Sequence, residues 1–175
     1  MQVEIWQQIT ETFIAEFSDL PDAAQVTRIL LRLTLAALLG GLLGIERESK
    51  GKAAGVRTHM LVAMGSALFV LISQQAGMDS AGLSRVVQGL IAGIGFLCAG
   101  TILKGNDEEK VKGLTTAAGI WLTAAIGMAA GLGREATAVL STLLTLGVLA
   151  LMPRLVRLLE KPERLIDADQ RDARR

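Results

Sequence analysis

Glu46-Arg47-Glu48 is the first string in the chain at which chemistry is conceivable, because paired carboxylates are the usual ligands of a hard cation. Arg47 stands between the acids and Lys50 and Lys52 follow, so electrostatics favours a salt-bridged cap that sets topology. Asp107-Glu108-Glu109 forms a second acidic cluster, which its flanking lysines mark as a solvated loop. Gln88 lies inside an apolar run, where an amide is costly unless it finds a partner, and is expected to face another helix or a watery crevice. Thr101, Thr115, Thr116 and Thr123 are cheaper in such runs, since a threonine hydroxyl can bond its own backbone one turn earlier. A single cysteine, Cys98, and a single histidine, His59, leave no internal disulfide and no histidine-rich metal cluster. Cys98 reads as a small apolar packing residue. P-loop, HExxH and Gly-x-Ser-x-Gly strings are absent, so no catalytic residue and no cofactor is assigned, and the chain is expected not to be an enzyme.

The elements that position these residues are membrane spans. Hydrophobic residues make up 51% of the 175 and aromatic ones only 3%, while the charges behind a net +1 cluster at the ends and in two short connections. A helix crosses the hydrocarbon with about 17 to 20 apolar residues. Runs at 29–45, 59–76, 86–103, 114–132 and 136–152 meet or approach that length, which predicts an all-α membrane protein of about five transmembrane helices, with a membrane domain over 28–153. Arg32 interrupts the first run one turn inside it, from where its head can extend to the interface. Gly133-Arg134-Glu135 is so short a connection that the spans it joins must be antiparallel neighbours.

Orientation follows from the cations. The connection from Glu46 to Arg57 carries four Lys or Arg, that from Lys104 to Gly113 three and the segment after Pro153 seven, out of 18 in all. The positive-inside rule puts that side in the cytoplasm, with the C-terminus, and an odd number of spans then puts the N-terminus outside. Residues 1–27 contain no Lys or Arg, unlike a secretory signal, and are expected to be retained. Ile5, Ile9, Phe13 and Phe17 repeat every four residues there, which describes a short amphipathic helix lying on the outer, periplasmic face or covering the bundle. Residues 154–175 form a basic tail suited to leaving an anionic cytoplasmic surface.

Glycine spacing carries the remaining signal. The string Gly93-Ile94-Gly95-Phe96-Leu97-Cys98-Ala99-Gly100 is spaced like a dinucleotide glycine loop but lies inside an apolar span, without the strand and turn that loop requires. Gly89 with Gly93, Gly95 with Ala99, Gly40 with Gly44 and Gly127 with Gly131 are four-residue pairs of small residues, which let helix backbones approach closely in lipid. Gly89, Gly93 and Gly100 lie along one stripe, expected as a seam either between two copies or within one chain. The alternative is a set of glycine carbonyls lining an ion path.

Three blocks go beyond composition: GGLLGIERESKGKAAGVRTH from Gly40 to His59, RVVQGLIAGIGFLCAGT from Arg85 to Thr101, and GLTTAAGIWLTAAIGMAAGLG from Gly113 to Gly133. Together they closely resemble the MgtC/SapB family of bacterial inner-membrane proteins, over nearly all of residues 30 to 150. The matching positions are Glu46, Arg47, Glu48, Gly55, Arg57, Thr58 and His59, then Arg85, Gln88, Gly93, Gly95, Phe96 and Gly100, then Gly113, Thr115, Thr116 and Trp121. Asp79 resembles an acid common in the family, at a longer spacing to Arg85. Cys98 stands where glycine is frequent, and longer members continue into a soluble cytoplasmic domain, whereas this chain stops soon after Pro153. The resemblance implies a small helical domain in the bacterial inner membrane that supports growth in low magnesium, and in some relatives survival inside host cells, by acting on other membrane proteins. The expected partners are the bilayer and a second copy or another membrane protein, with no nucleic acid. The competing expectation is a cation channel or transporter whose polar path runs through Gln88, Asp79 and the Glu46/Glu48 pair, with no metal site assigned.

Overall fold

Inside lipid a backbone can satisfy its polar groups only within a helix or a closed barrel, and runs of this length and composition take the helical solution. The computed structural model describes residues 2–16, 18, 22–102 and 112–172. Over them the chain forms α1 (Gln2–Glu16), α2 (Ala23–Ser49), α3 (Val56–Gln75), α4 (Ser80–Ile102), α5 (Leu114–Gly131) and α6 (Glu135–Asp172), with no strand among the described residues. Helices α2 to α5, and α6 as far as Pro153, are long and apolar enough to cross a membrane, matching the five expected spans. The acidic cluster at 107–109 lies outside the described residues.

Several helices extend beyond the expected spans: α3 begins at Val56 instead of 59, α4 at Ser80 instead of 86, and α2 and α6 differ as well. Helix α2 begins at Ala23 instead of 29, because the Asp22 carboxylate accepts the Gln25 amide at 2.6 Å and so starts the helix before the apolar run begins. Helix α6 continues through Pro153 to Asp172 as one element. The amphipathic α1 is present, and its side chains from Ile5 to Glu16 are exposed.

Helix α5 is the centre of the bundle, packed against α2, α3, α4 and α6. More than half of its span, 56%, is buried, against 6% for α4. The larger core joins Ala36, Leu39 and Leu43 of α2 to Ala63 and Ala67 of α3, Ile126 and Ala130 of α5, and Ala138 of α6. Small side chains dominate it because the backbones nearly touch. A β-carbon on Gly40 would stand 2.5 Å from the His59 carbonyl oxygen, and one on Gly131 would stand 2.6 Å from that of Ala67. Gly44 lies against Val56, and Gly127 against Ala63, in the same manner.

The tight connections share one device. After α5 the Gly133 amide donates to the Ala130 carbonyl and the Arg134 amide to that of Ala129, a pair of bonds that requires the left-handed backbone Gly133 adopts at φ 76°. The same bonds close α2 at Gly51 and α3 at Gly77. Two ends result: a basic end with the α2–α3 connection and the start of α5, and an opposite end with the α3–α4 and α5–α6 turns.

Candidate functional site

At the basic end the three charged residues of the ERE string take separate roles. Arg47 is only 4% exposed and binds Glu46, with its Nε and Nη2 both reaching the same carboxylate oxygen. Glu48 turns the other way: its Oε2 accepts the Val56 amide at 2.9 Å and so caps the first turn of α3. A β-carbon on Gly55 would meet the same Glu48 carboxylate, so glycine there leaves it room to reach the Val56 amide. The string is a cap and a buried ion pair. The second oxygen of Glu46, Oε1, is buried without a hydrogen-bond partner among the described residues.

His59 stands one turn into α3 and is 0% exposed. Its ring Nδ1 donates to the Gly55 carbonyl at 3.0 Å, which places the proton on that nitrogen because a carbonyl can only accept. Nε2 is buried with no partner among the described residues and faces Gly119 of α5, where an added β-carbon would lie 3.6 Å away. Gly40 of α2, His59 of α3 and Gly119 of α5 therefore form one three-helix junction.

At the same end, between the α2–α3 connection, the start of α5 and α6, is a cavity of about 610 Å³. Glu46, Arg47, Lys50, Lys52 and Thr115 line one wall, and Val148, Leu149, Met152, Pro153 and Val156 of α6 line the other. Among the described residues no three of His, Cys, Asp and Glu come together to hold a metal ion.

The other sequence candidates lie elsewhere. Arg57 is exposed, and Thr116 is buried beside Ala117 in α5. Asp79 is at the opposite end, its Oδ1 accepting the Gly82 amide at 2.7 Å to cap α4. Arg85 and Gln88 are on the exposed side of α4, where the Gln88 amide reaches Ser84 of its own helix at 3.5 Å instead of another helix of this chain. Asp79 is thus separated from Glu46 and Glu48 by the length of α3, roughly 30 Å at 1.5 Å per residue, and Gln88 lies about 12 Å in from the Asp79 end of α4. Cys98 is half-buried and donates to the Ala117 carbonyl at 3.2 Å, joining α4 to α5.

Beyond Gly82 at its start, the glycines of α4 meet nothing. A β-carbon on Gly89, Gly93, Gly95 or Gly100 would have no neighbour within 4 Å, so these residues make no seam inside the chain. Ile94 is the one buried residue of α4; Gly93 stands 100° to its side and, with Gly89, lines an open groove shared with Phe69 of α3, while Ala92, Phe96 and Ala99 fall on the side turned away from it. Phe96 on that side is 82% exposed.

Arg32 has a role that its position in the sequence does not suggest. It turns inward, where Nη1 donates to Gln74 Oε1 at 3.0 Å and to the Gly131 carbonyl at 2.9 Å, and Nε approaches Glu135 at 3.7 Å. One side chain of α2 thereby ties α3, α5 and α6 at the opposite end. A cation inside an apolar run is the signal; its partners are too distant in sequence to be read locally.

Comparison with known proteins is consistent across this frame. The MgtC family model matches residues 33–158. Protein SrpB of Synechococcus elongatus is 47% identical over 138 residues, 73% of this chain and 76% of that protein. The putative magnesium transporter YhiD of Escherichia coli is 44% identical over 140 residues, 75% of this chain and 64% of its own length. Protein MgtC of Brucella abortus is 44% identical over 125 residues, 71% of this chain and 51% of its own. The match thus spans less than two thirds of the last two relatives. No solved structure matches the chain.

Proposed function

This chain belongs to the MgtC family and is a multi-pass membrane protein, and from that premise we propose that it acts without catalysis, through lateral contact of α4 with a second copy or another membrane protein, in adaptation to magnesium limitation or envelope stress. The observation that carries the reading is the uncovered face of α4. In lipid, helix association rests on close packing of small residues and on hydrogen bonds, and this face offers Gly89, Gly93 and Gly100 with the Gln88 amide beside them. An amide turned to hydrocarbon is costly, and a neighbouring helix would supply what Ser84 supplies only weakly. A second copy is the simplest occupant, because it brings the same small-residue stripe to a symmetric contact. The Lys and Arg content of the basic end supports a cytoplasmic orientation for it.

Native mass in mild detergent tests the contact. The parent protein should run as an oligomer and Gly93→Leu as a folded monomer, since that side chain meets open space within one chain. A parent that is monomeric and captures no membrane partner by cross-linking at 93 would overturn the reading. A deletion strain should grow poorly at low magnesium and regain growth with the parent gene but not with Gly93→Leu.

A further inference from the structure

We propose that the cavity at the basic end binds an anionic phospholipid, its phosphate held by Lys50 and Lys52 and an acyl chain laid along α6. The inference is independent of the contact proposed for α4. Of the cavity's charged lining, Arg47 is committed to Glu46, so the two lysines supply the net positive charge. Thr115 on the same wall adds a hydroxyl that can donate to a phosphate oxygen. Facing them, Val148, Leu149, Met152 and Val156 form an apolar wall, and Val148, Met152 and Val156 are accessible from outside.

The depth of the cavity matches this division. The apolar run of α2 ends at Glu46 and the apolar span of α6 at Pro153, so the lining crosses from hydrocarbon to headgroup level. A bare cation is repelled by the lysines, and a soluble anion has no use for the apolar wall. An anionic lipid uses both walls, as basic pockets between membrane helices do.

The test titrates the full chain, in micelles of a neutral detergent, with dioctanoyl phosphatidylglycerol, dioctanoyl phosphatidylcholine or inorganic phosphate, reading bound adducts by native mass spectrometry and melting by thermal shift. Phosphatidylglycerol should bind one molecule per chain and raise the melting temperature, while phosphatidylcholine and phosphate do neither. Replacing both lysines, Lys50→Gln with Lys52→Gln, should weaken phosphatidylglycerol about tenfold or more, and Lys50→Arg with Lys52→Arg should restore it. Val148→Trp should block binding from the apolar wall with the charges intact. Equal binding of the two lipids, retention of phosphatidylglycerol by the glutamine variant, or an equal shift from phosphate alone would each overturn the assignment, the last by showing a site for a free anion.

Discussion

Gly127 of α5 lies so close to Ala63 of α3 that a β-carbon at 127 would stand 2.8 Å from both the Cα and the carbonyl carbon of Ala63. Both obstacles are backbone, which cannot rotate away, so the whole helix would have to shift. Gly127→Ala should therefore lower stability by about 1–3 kcal/mol, the usual cost of overpacking. Gly93→Ala, with nothing within 4 Å, should leave the melting of one chain unchanged or raise it by up to about 1 kcal/mol through helix propensity. Thermal melting followed by size-exclusion chromatography checks the contrast; equal shifts for the two variants would mean that α3 and α5 are not in this contact.

Glu48 caps α3 from across the α2–α3 turn. Glu48→Ala removes the acceptor of the Val56 amide and should cost about 0.5–2 kcal/mol, the range for losing a helix cap. Glu48→Gln keeps a carbonyl oxygen in place and should lose less. Equal melting of parent, alanine and glutamine variants would assign Glu48 some other role.

Arg32→Met should cost more, because Gln74 and the Gly131 carbonyl both lose a charged donor in a partly buried setting. A double-mutant cycle with Gln74→Leu isolates one arm. A coupling of about 0.5 kcal/mol or more is expected for groups in direct contact, and additivity would show that Arg32 reaches outward to the interface.

The spans were legible in the sequence because hydropathy is a local property, and a run long enough to cross lipid has few other uses. The start of α2 was legible too, in the aspartate at 22, although a criterion of apolar length alone passes over it. Gly89/Gly93 and Gly127/Gly131 have the same four-residue spacing, yet one pair meets open space and the other meets α3. Periodicity identifies a stripe of small residues; the covering helix depends on contacts between distant segments. Arg32 follows the same logic, with partners at Gln74, Gly131 and Glu135 that no local pattern contains. The cavity between α2 and α6 arises from such an approach as well, so Lys50 and Lys52 read in sequence as topology markers alone.

Single cysteines in a Cys98→Ala background test the placement of the two ends. A membrane-impermeant maleimide added to intact cells should label position 79, in the α3–α4 turn, and not position 50, in the α2–α3 turn, until the cells are opened. The reverse pattern would invert the proposed orientation and move the lysine-lined cavity to the outer leaflet.

Cation transport is the reading most directly opposed to lateral contact, and flux through liposomes separates them. A path through the acids would have to join Glu46 at one end of α3 to Asp79 at the other, across roughly 30 Å. One oxygen of each of these carboxylates is already engaged, by Arg47 for Glu46, the Val56 amide for Glu48 and the Gly82 amide for Asp79. Between the two ends the buried polar side chains include His59, Ser66 and Thr123, which carry no carboxylate to replace the water a magnesium ion must shed. Purified protein in liposomes should therefore pass magnesium no faster than protein-free liposomes under an imposed gradient, and Glu46→Gln should change nothing. Magnesium entry above the empty-liposome rate that disappears with Glu46→Gln would establish a conducting path and displace the contact of α4 as the primary activity.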